Sequence, residues 1–430
     1  MSHRLSQLLL MSVALLITVL TYWQGLNGEF MFDDDPNIVS NPAVQIDSVN
    51  FVALKEVISS GGTGVLGRPL SMISFAVNHA VSGLDARAFK TVNLAIHLCN
   101  GLLIFWLARA LLHLASHEAD WILPVWVATT WLLHPINLTP VLHVVQRMTE
   151  LSALFTLAGL LLYLRLRIAP PTSVSLKWAG WLGLLSLWLL GFLGKETAVL
   201  APLFAMLIEV FLLRKASEGK TTCAFCIFTW LGLFAVLVAV VVGYLGTGAF
   251  SPEAFRYRDF SMAERVMTEL RVLWFYVQLI LLPMPSEFGL FHDDIAISRG
   301  WLAPWTTLVA GVSWLAVLTL LVKYGRQAPL IGFGVAWFLV GHLLESTILA
   351  LEIVHEHRNY LPAFGLILAV GEAGRRIGMA KLLGLRLIAA TLAIAPIAVL
   401  LFNTTLRAYA YGDPVRLARI EAAYHPDSSR

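Results

Sequence analysis

Charge is what this chain has least of. Of its 430 residues only 13% are Asp, Glu, Lys or Arg, where a soluble globular domain carries roughly 25%. A soluble core of this size would still need a charged surface, and there are too few charges to build one. The net charge of +3 also excludes a nucleic-acid footprint, which takes a strongly basic face. Cysteine is almost absent, with Cys99, Cys223 and Cys226 the whole complement. Cys223-Ala-Phe-Cys226 has no second pair to complete a four-thiolate zinc site. The three thiols read as small buried hydrophobes, with a redox pair as the other reading. No small-x-small cleavage site follows the apolar run 8–26, so that run reads as a retained first span rather than a removable leader.

What the chain has in abundance is apolar sequence: 58% hydrophobic residues and a mean hydropathy of +0.75. The hydrocarbon layer is about 30 Å thick and takes about 20 apolar residues of helix to cross. Runs near that length recur at 8–26, 91–112, 121–138, 150–167, 176–194, 197–213, 223–246, 301–322, 329–350, 359–373 and 384–402. The stretch 269–283 is shorter and carries Arg271 and Gln278. It reads either as a twelfth span or as an interfacial piece.

Lys and Arg in short loops set the orientation. With Arg4 inside, Arg109, Arg165/Arg167, Arg214/Lys215/Lys220, Lys323/Arg326 and Arg375/Arg376/Lys381 all fall on the cytoplasmic side if 269–283 does not cross. The expectation is therefore an all-α multi-pass membrane protein of about 11 spans over residues 1–402. It has a first extracytoplasmic loop at 27–90 and a short extracytoplasmic tail at 403–430. Arg407, Arg416, Arg419 and Arg430 in that tail weigh against this polarity. Stretch 45–58 is patterned as an interfacial helix of the first loop.

The opposite side then receives most of the charge that has no topological purpose. Asp33-Asp34-Asp35-Pro36 follows the first span. Adjacent carboxylates raise one another's pKa and are costly at a membrane boundary unless a cation or a catalytic role offsets them. A solvated turn is the plainer reading, because Asp before Pro is a common turn former. Arg68-Pro69-Leu70 lies in the same loop. Asn93 and His97, four apart, share one helix face and are packing polar groups or ligands. His134-Pro135 closes one span, and Arg147 with Glu150 opens the next, three apart and able to pair within the helix. Lys195-Glu196 occupies a very tight turn, and His355-Glu356-His357-Arg358 separates two late spans. The His355-x-His357 spacing alone is weak evidence for a metal. Arg68, Arg147, Lys195 and Arg358 on one side instead suggest a pocket for phosphoryl oxygens, which guanidinium and ammonium groups neutralise and orient.

These elements together resemble a known family. Phe32-Asp33-Asp34, Asn41-Pro42, Arg68-Pro69-Leu70, Asn93 with His97, His134-Pro135, Arg147 with Glu150, Lys195-Glu196 and His357-Arg358-Asn359-Tyr360-Leu361-Pro362 run in order through about residues 20–365. The chain is similar to the membrane part of the C-type glycosyltransferases, which use sugars carried on polyprenyl or dolichyl phosphate. Within them it resembles the protein O-mannosyltransferase-like branch that often carries tetratricopeptide repeats. It departs from that branch at Gln146 and at Leu138-Thr139-Pro140, and no such repeats follow residue 402. A stand-alone enzyme of this size also resembles the bacterial transferases that decorate type IV pilin, one of which transfers arabinofuranose.

The resemblance implies a C-type bundle with interfacial helices in the first outer loop. It implies Asp33 as the catalytic aspartate, with Asp34 as second choice. Arg68, His97, Arg147, Lys195, Glu196, His357 and Arg358 then bind substrate or phosphate. No cofactor is called for, and a divalent cation is not indicated. The partners it implies are a polyprenyl-phosphate-linked sugar, a protein acceptor such as pilin, and membrane lipid. The expected place is a bacterial inner membrane with the site facing the periplasm. A flippase for a lipid-linked sugar or anionic solute is the main alternative. Its polar residues would line a path at the membrane midplane in repeated halves, whereas here they gather on one side.

Overall fold

The computed structural model describes residues 3–62, 67–116, 121–213, 252–378, 383–426 and 428. The expected span 223–246, with Cys223 and Cys226, lies outside the described residues. Helices account for the regular structure, and there is no β-sheet among the described residues; an isolated bridge joins Gly300 and Ala303.

The chain opens with α1 (His3–Tyr22), followed in the first long loop by α2 (Phe51–Ser59) and α3 (Pro69–Ser82). Then come α4 (Ala86–Ser116), α5 (Ile122–Leu132), the one-turn α6 (Leu138–Leu142), α7 (Arg147–Ile168) and α8 (Val174–Gly194). A 3-10 turn at Glu196–Leu200 leads into α9 (Ala201–Ile208), which continues as a π-helix over Glu209–Leu213. After the undescribed stretch come α10 (Met262–Leu281), α11 (Thr306–Tyr324), α12 (Pro329–Gly341), α13 (Pro362–Gly378), α14 (Leu383–Tyr411) and α15 (Pro414–Tyr424).

Local chemistry sets many of these ends. The Asn50 side chain accepts from the Ala53 N–H and caps α2. Ser261 and Glu264 form a reciprocal capping box on α10, which satisfies two N-terminal donors at once. Pro69, Pro329, Pro362 and Pro414 open α3, α12, α13 and α15, where a missing N–H costs nothing.

Among the described residues, six segments are long and apolar enough to cross a membrane: Leu5–Tyr22, Ala86–Ala115, Val144–Ile168, Val174–Gly194, Glu196–Leu213 and Thr306–Tyr324. The protein is thus an all-α, multi-pass membrane bundle. Only 17% of the apolar window of α8, and of α11, is buried against protein, compared with 72% for Glu196–Leu213. The first two therefore form the lipid-facing rim, and the last sits in the middle. In this first long loop, α2 leaves Phe51 and Val52 84% and 69% exposed.

Two expected spans end early. The run 121–138 is helical only to Leu132, because Pro135 cannot donate inside a helix and the His134 ring takes the Ile136 N–H instead. The run 329–350 is helical only to Gly341 and continues as turns. The uncertain stretch 269–283 belongs to α10. Arg258 before α10 and Gly289–His292 after it line one cavity, so the chain returns to the level it left. α1, α5, α8, α12 and α14 run toward that same cavity, while α4, α7, Glu196–Leu213 and α13 run away from it.

α12 and α13 make the closest helix pair. A Cβ added to Gly334 would collide with the Gly365 carbonyl oxygen, and one on Gly365 with that of Gly334. Small residues let apolar helices approach backbone to backbone, where dispersion and close contact drive association in lipid. Gly365→Val is expected to lower the thermal midpoint in detergent, by an amount matching about 1–3 kcal/mol of overpacking. Gly374→Ala, on the same helix with open space around it, should leave the midpoint unchanged or raise it; equal losses in both would contradict this packing.

Candidate active site

The site begins with a strained turn. Phe32 holds φ at +50°, a left-handed conformation that costs a non-glycine residue about 1–3 kcal/mol. Its ring meets those of Phe291 and His143 at centroid distances of 5.1 and 6.0 Å. The turn sends the next two carboxylates in opposite directions. Asp34 is fully buried and accepts from the N–H groups of Met31 at 3.0 Å, Val145 at 2.6 Å and Val144 at 3.3 Å. It therefore pins the loop after α1 to the turn between α6 and α7. Asp33 is exposed and lines a cavity of about 550 Å³.

The same cavity also has a cluster of basic residues in its lining. Arg68, at the start of α3, donates to Glu196 at 3.0 Å. Lys195, just past α8, meets Glu345 at 2.8 Å and donates to Thr149 at 3.1 Å. Arg358 donates to the carbonyls of Ile353 at 2.7 Å and Glu352 at 2.6 Å. Arg68, Lys195, Arg358, Glu345 and His357 all line the cavity.

Burial pushes the Glu345 carboxyl up, but Lys195 and Arg358 outweigh it and hold it down at about 2. Burial pulls Lys195 below the usual ammonium range against the attraction of Glu345. His355 and His357 are driven well below the usual imidazole range, first by burial and then by neighbouring Arg358 and Lys195. Both are neutral at pH 7. Their rings stack at 4.9 Å rather than converging on a point. Among the described residues, no group of three or more His, Cys, Asp or Glu is arranged to hold a metal ion.

A third wall comes from Arg258, Gly289–His292, Glu352 and Tyr411. It is held by Glu356, which accepts from Arg407 at 2.9 Å, Thr139 at 2.9 Å and the Gly289 N–H at 3.0 Å. Burial raises Glu356, yet Arg407 and His292 bring it down to about 2. The loop carrying Glu345 and Glu352 is fastened by Arg265, whose guanidinium donates to the carbonyls of Glu345, Thr347, Leu351 and Glu352.

Of the residues singled out in the sequence, Asp33, Arg68, Lys195, His357 and Arg358 thus converge on one cavity. Asp34, His97, Arg147 and Glu196 do not line it. His97 is buried against Trp131 at 4.8 Å and bonds to the Tyr360 hydroxyl and the Leu132 carbonyl. Arg147 donates to Asn93, Asn78, Ser74 and Phe89. It lies over the rings of Phe75 and Phe89, so its donors join α3, α4 and α7 rather than facing the cavity. Glu150 does not pair with it, and its carboxyl oxygens find no hydrogen-bond donor among the described residues. Glu196 stands behind Arg68. Sequence reasoning did not single out Glu345, His143 or Tyr411, which also line the cavity, and gave Glu356, Arg258 and His292 no assigned role. Glu345 was hidden inside an apolar run, where Gly341-His342 and the lone carboxylate were the available signals.

No protein-family model matches the chain, and no solved structure matches it. It is 24% identical over 277 residues to a protein O-mannosyl-transferase of Caenorhabditis elegans. The match covers 62% of this chain and 37% of that protein, so the chain spans well under half the length of this curated relative. The similarity is that of a distant homologue within a group of transferases.

Burial pushes Asp34 up to about 6, against the pull of its three N–H donors and Lys90. A carboxyl raised in the folded state binds more protons there than when unfolded, so its contribution to stability falls as pH rises through this window. The thermal midpoint of the wild type should decline between about pH 4 and about pH 6 relative to Asp34→Asn. Parallel curves would remove Asp34 as the titrating group. Asp34→Ala should speed amide exchange at residues 31–35 and 143–146 together, since both turns hang on this one carboxylate.

Proposed function

We propose that the chain is a membrane glycosyltransferase. It moves a monosaccharide from a polyprenyl-phosphate donor to a hydroxyl of a protein acceptor. The observation that carries this reading is the exposed Asp33 carboxylate sharing one cavity with Arg68, Lys195 and Arg358, in a chain distantly similar to a protein O-mannosyl-transferase. A bacterial inner membrane, a site facing the periplasm and a type IV pilin acceptor are what the sequence resemblance adds.

The division of labour follows from the cavity. Asp33 is the free carboxylate at one end, able to accept the proton of an attacking hydroxyl. General bases of this kind contribute about 10²–10⁴-fold. Arg68, Lys195 and Arg358 at the other end stabilise the phosphate that leaves the anomeric carbon. Fixed cations do this best where water is excluded. Neutral His357 donates or accepts a single hydrogen bond to phosphate without adding charge. Arg147 and His97 act at a distance, by holding α3, α4, α7 and the Tyr360 turn in place.

The test is transfer of radiolabelled sugar from polyprenyl-phosphate donors to candidate protein acceptors by the purified chain, followed by mass spectrometry of the acceptor. Asp33→Asn is expected to lose transfer by about 10²-fold or more while keeping donor binding, the signature of a group used only in the transition state. Asp33→Asn with full activity would remove the base assignment. Movement of the lipid-linked sugar across liposomes with no transfer to any acceptor would replace the enzyme with a flippase.

A further inference from the structure

The cations at the basic end of the cavity are already occupied. Arg68 is paired with Glu196 and Lys195 with Glu345. Arg358 lies 3.9 Å from Glu269, which pairs more closely, at 2.8 Å, with Arg265. With all groups ionised, four cations thus stand against three carboxylates, and a single positive charge is left over; burial pushes Glu269 up to about 7 against the pull of Arg358 and Arg265, so the surplus grows below that pH in wild type and E345Q alike. Of those three carboxylates, only Glu345 lines the cavity. It sits on the irregular loop after α12, whereas Glu196 and Glu269 belong to helical turns. The remaining groups around it add no net charge: His355 and His357 are neutral, and His342 is stacked on Tyr276 at 5.1 Å. Farther along the wall, Arg258 pairs with Glu352 and Arg407 with Glu356.

We infer that Glu345 restricts the basic end of the cavity to one phosphate charge and thereby drives release of the lipid phosphate once the sugar has left. The inference rests on the transferase reading above. In that reaction the bond between the anomeric carbon and the phosphate oxygen breaks, and its electron pair stays on the phosphate. The acceptor oxygen bonds to the anomeric carbon, and its proton goes to Asp33. The donor is a phosphodiester with one negative charge. The product is a monoester whose second ionisation lies near pH 6, so it carries close to two charges at neutral pH. Total charge is unchanged, but one negative charge has moved from Asp33 across the cavity to the phosphate, beside Glu345. One leftover positive charge balances the diester and cannot balance the dianion. Like charges a few ångströms apart in a partly dry site repel strongly, and Glu345 is the carboxylate placed to supply that repulsion.

The test needs neither the natural sugar nor the acceptor. Binding of farnesyl phosphate, a monoester, is compared with that of methyl farnesyl phosphate, a diester, to the full chain in detergent at about pH 5 and about pH 8, where the monoester changes from one charge to nearly two. In the wild type the monoester-to-diester affinity ratio is expected to fall about tenfold from the lower to the higher pH, a like-charge effect of ordinary size. In E345Q the ratio should stay level or rise, because a dianion then meets cations with no opposing carboxylate. A wild-type ratio that rises with pH overturns the inference without any variant, which covers the case of an unstable E345Q. An equal fall in wild type and E345Q overturns it as well. If both lipids bind but the ratio ignores Glu345, the transferase reading stands and only this inference fails. If neither lipid binds the wild type, the lipid-phosphate reading itself fails.

Discussion

One carboxylate ties the cavity end of this bundle together. Glu356 takes hydrogen bonds from α14 through Arg407, from α6 through Thr139 and from the chain after α10 through the Gly289 N–H. It thus joins four segments that are far apart in sequence, and it does so while buried to 3% exposure at the edge of the cavity. Removing one side of such a buried pair leaves an uncompensated charge, at a cost of about 3–5 kcal/mol. The cavity wall at Gly289–His292 and the turn that bears His357 and Arg358 both take their positions from this point. The position of the basic groups relative to Asp33 therefore depends on an interaction that touches neither.

The same physics explains why irregular backbone is tolerated here. Non-helical chain at membrane depth survives only where protein satisfies its polar groups. Arginine is suited to that task because its planar fork offers five donors. Arg265 takes four carbonyls of the turns after α12, and Arg147 takes carbonyls and amide oxygens from α3 and α4. The break after α5 is handled likewise, with Thr404 donating to Leu133 and Arg407 to Pro135. Most buried cations of this protein are braces for carbonyl groups, and a few are left for the cavity.

That division limits what the sequence can reveal. The all-helical, multi-pass character is legible, because length and hydropathy follow from the thickness of a bilayer; of the eleven apolar runs in the sequence, six are membrane-length apolar helices among the described residues. Where a helix stops inside an apolar run is less so: α5 and α12 end before their hydrophobic sequence does, at Pro135 and at Gly341-His342. The gathering of polar residues near helix ends was also visible, yet brace and binding group look alike in one dimension. Arg147 and Arg358 both sit at helix ends and donate to backbone carbonyls, and only the second also lines the cavity. Asp33 and Asp34 pose the same difficulty at one residue's spacing. Which carboxylate faces the cavity is decided by the left-handed backbone at Phe32, and no residue type there announces it. Glu345 was obscured for the opposite reason, since a run of apolar residues on both sides made it look like part of a span.

The pairing of Glu356 with Arg407 also constrains the order of assembly. Chains are synthesised from the amino end, and helices enter the bilayer in sequence. Thr139 is made 217 residues before Glu356, and Arg407 emerges 51 residues after it. During that interval the carboxylate waits without its Arg407 counter-ion, and the cavity-side ends of α5 and α13 lack the helix that packs on them. Closure of this polar seam thus waits for α14. Until α14 docks, the nascent protein is a membrane intermediate with an open polar seam, the kind of species that insertion chaperones and quality-control proteases inspect.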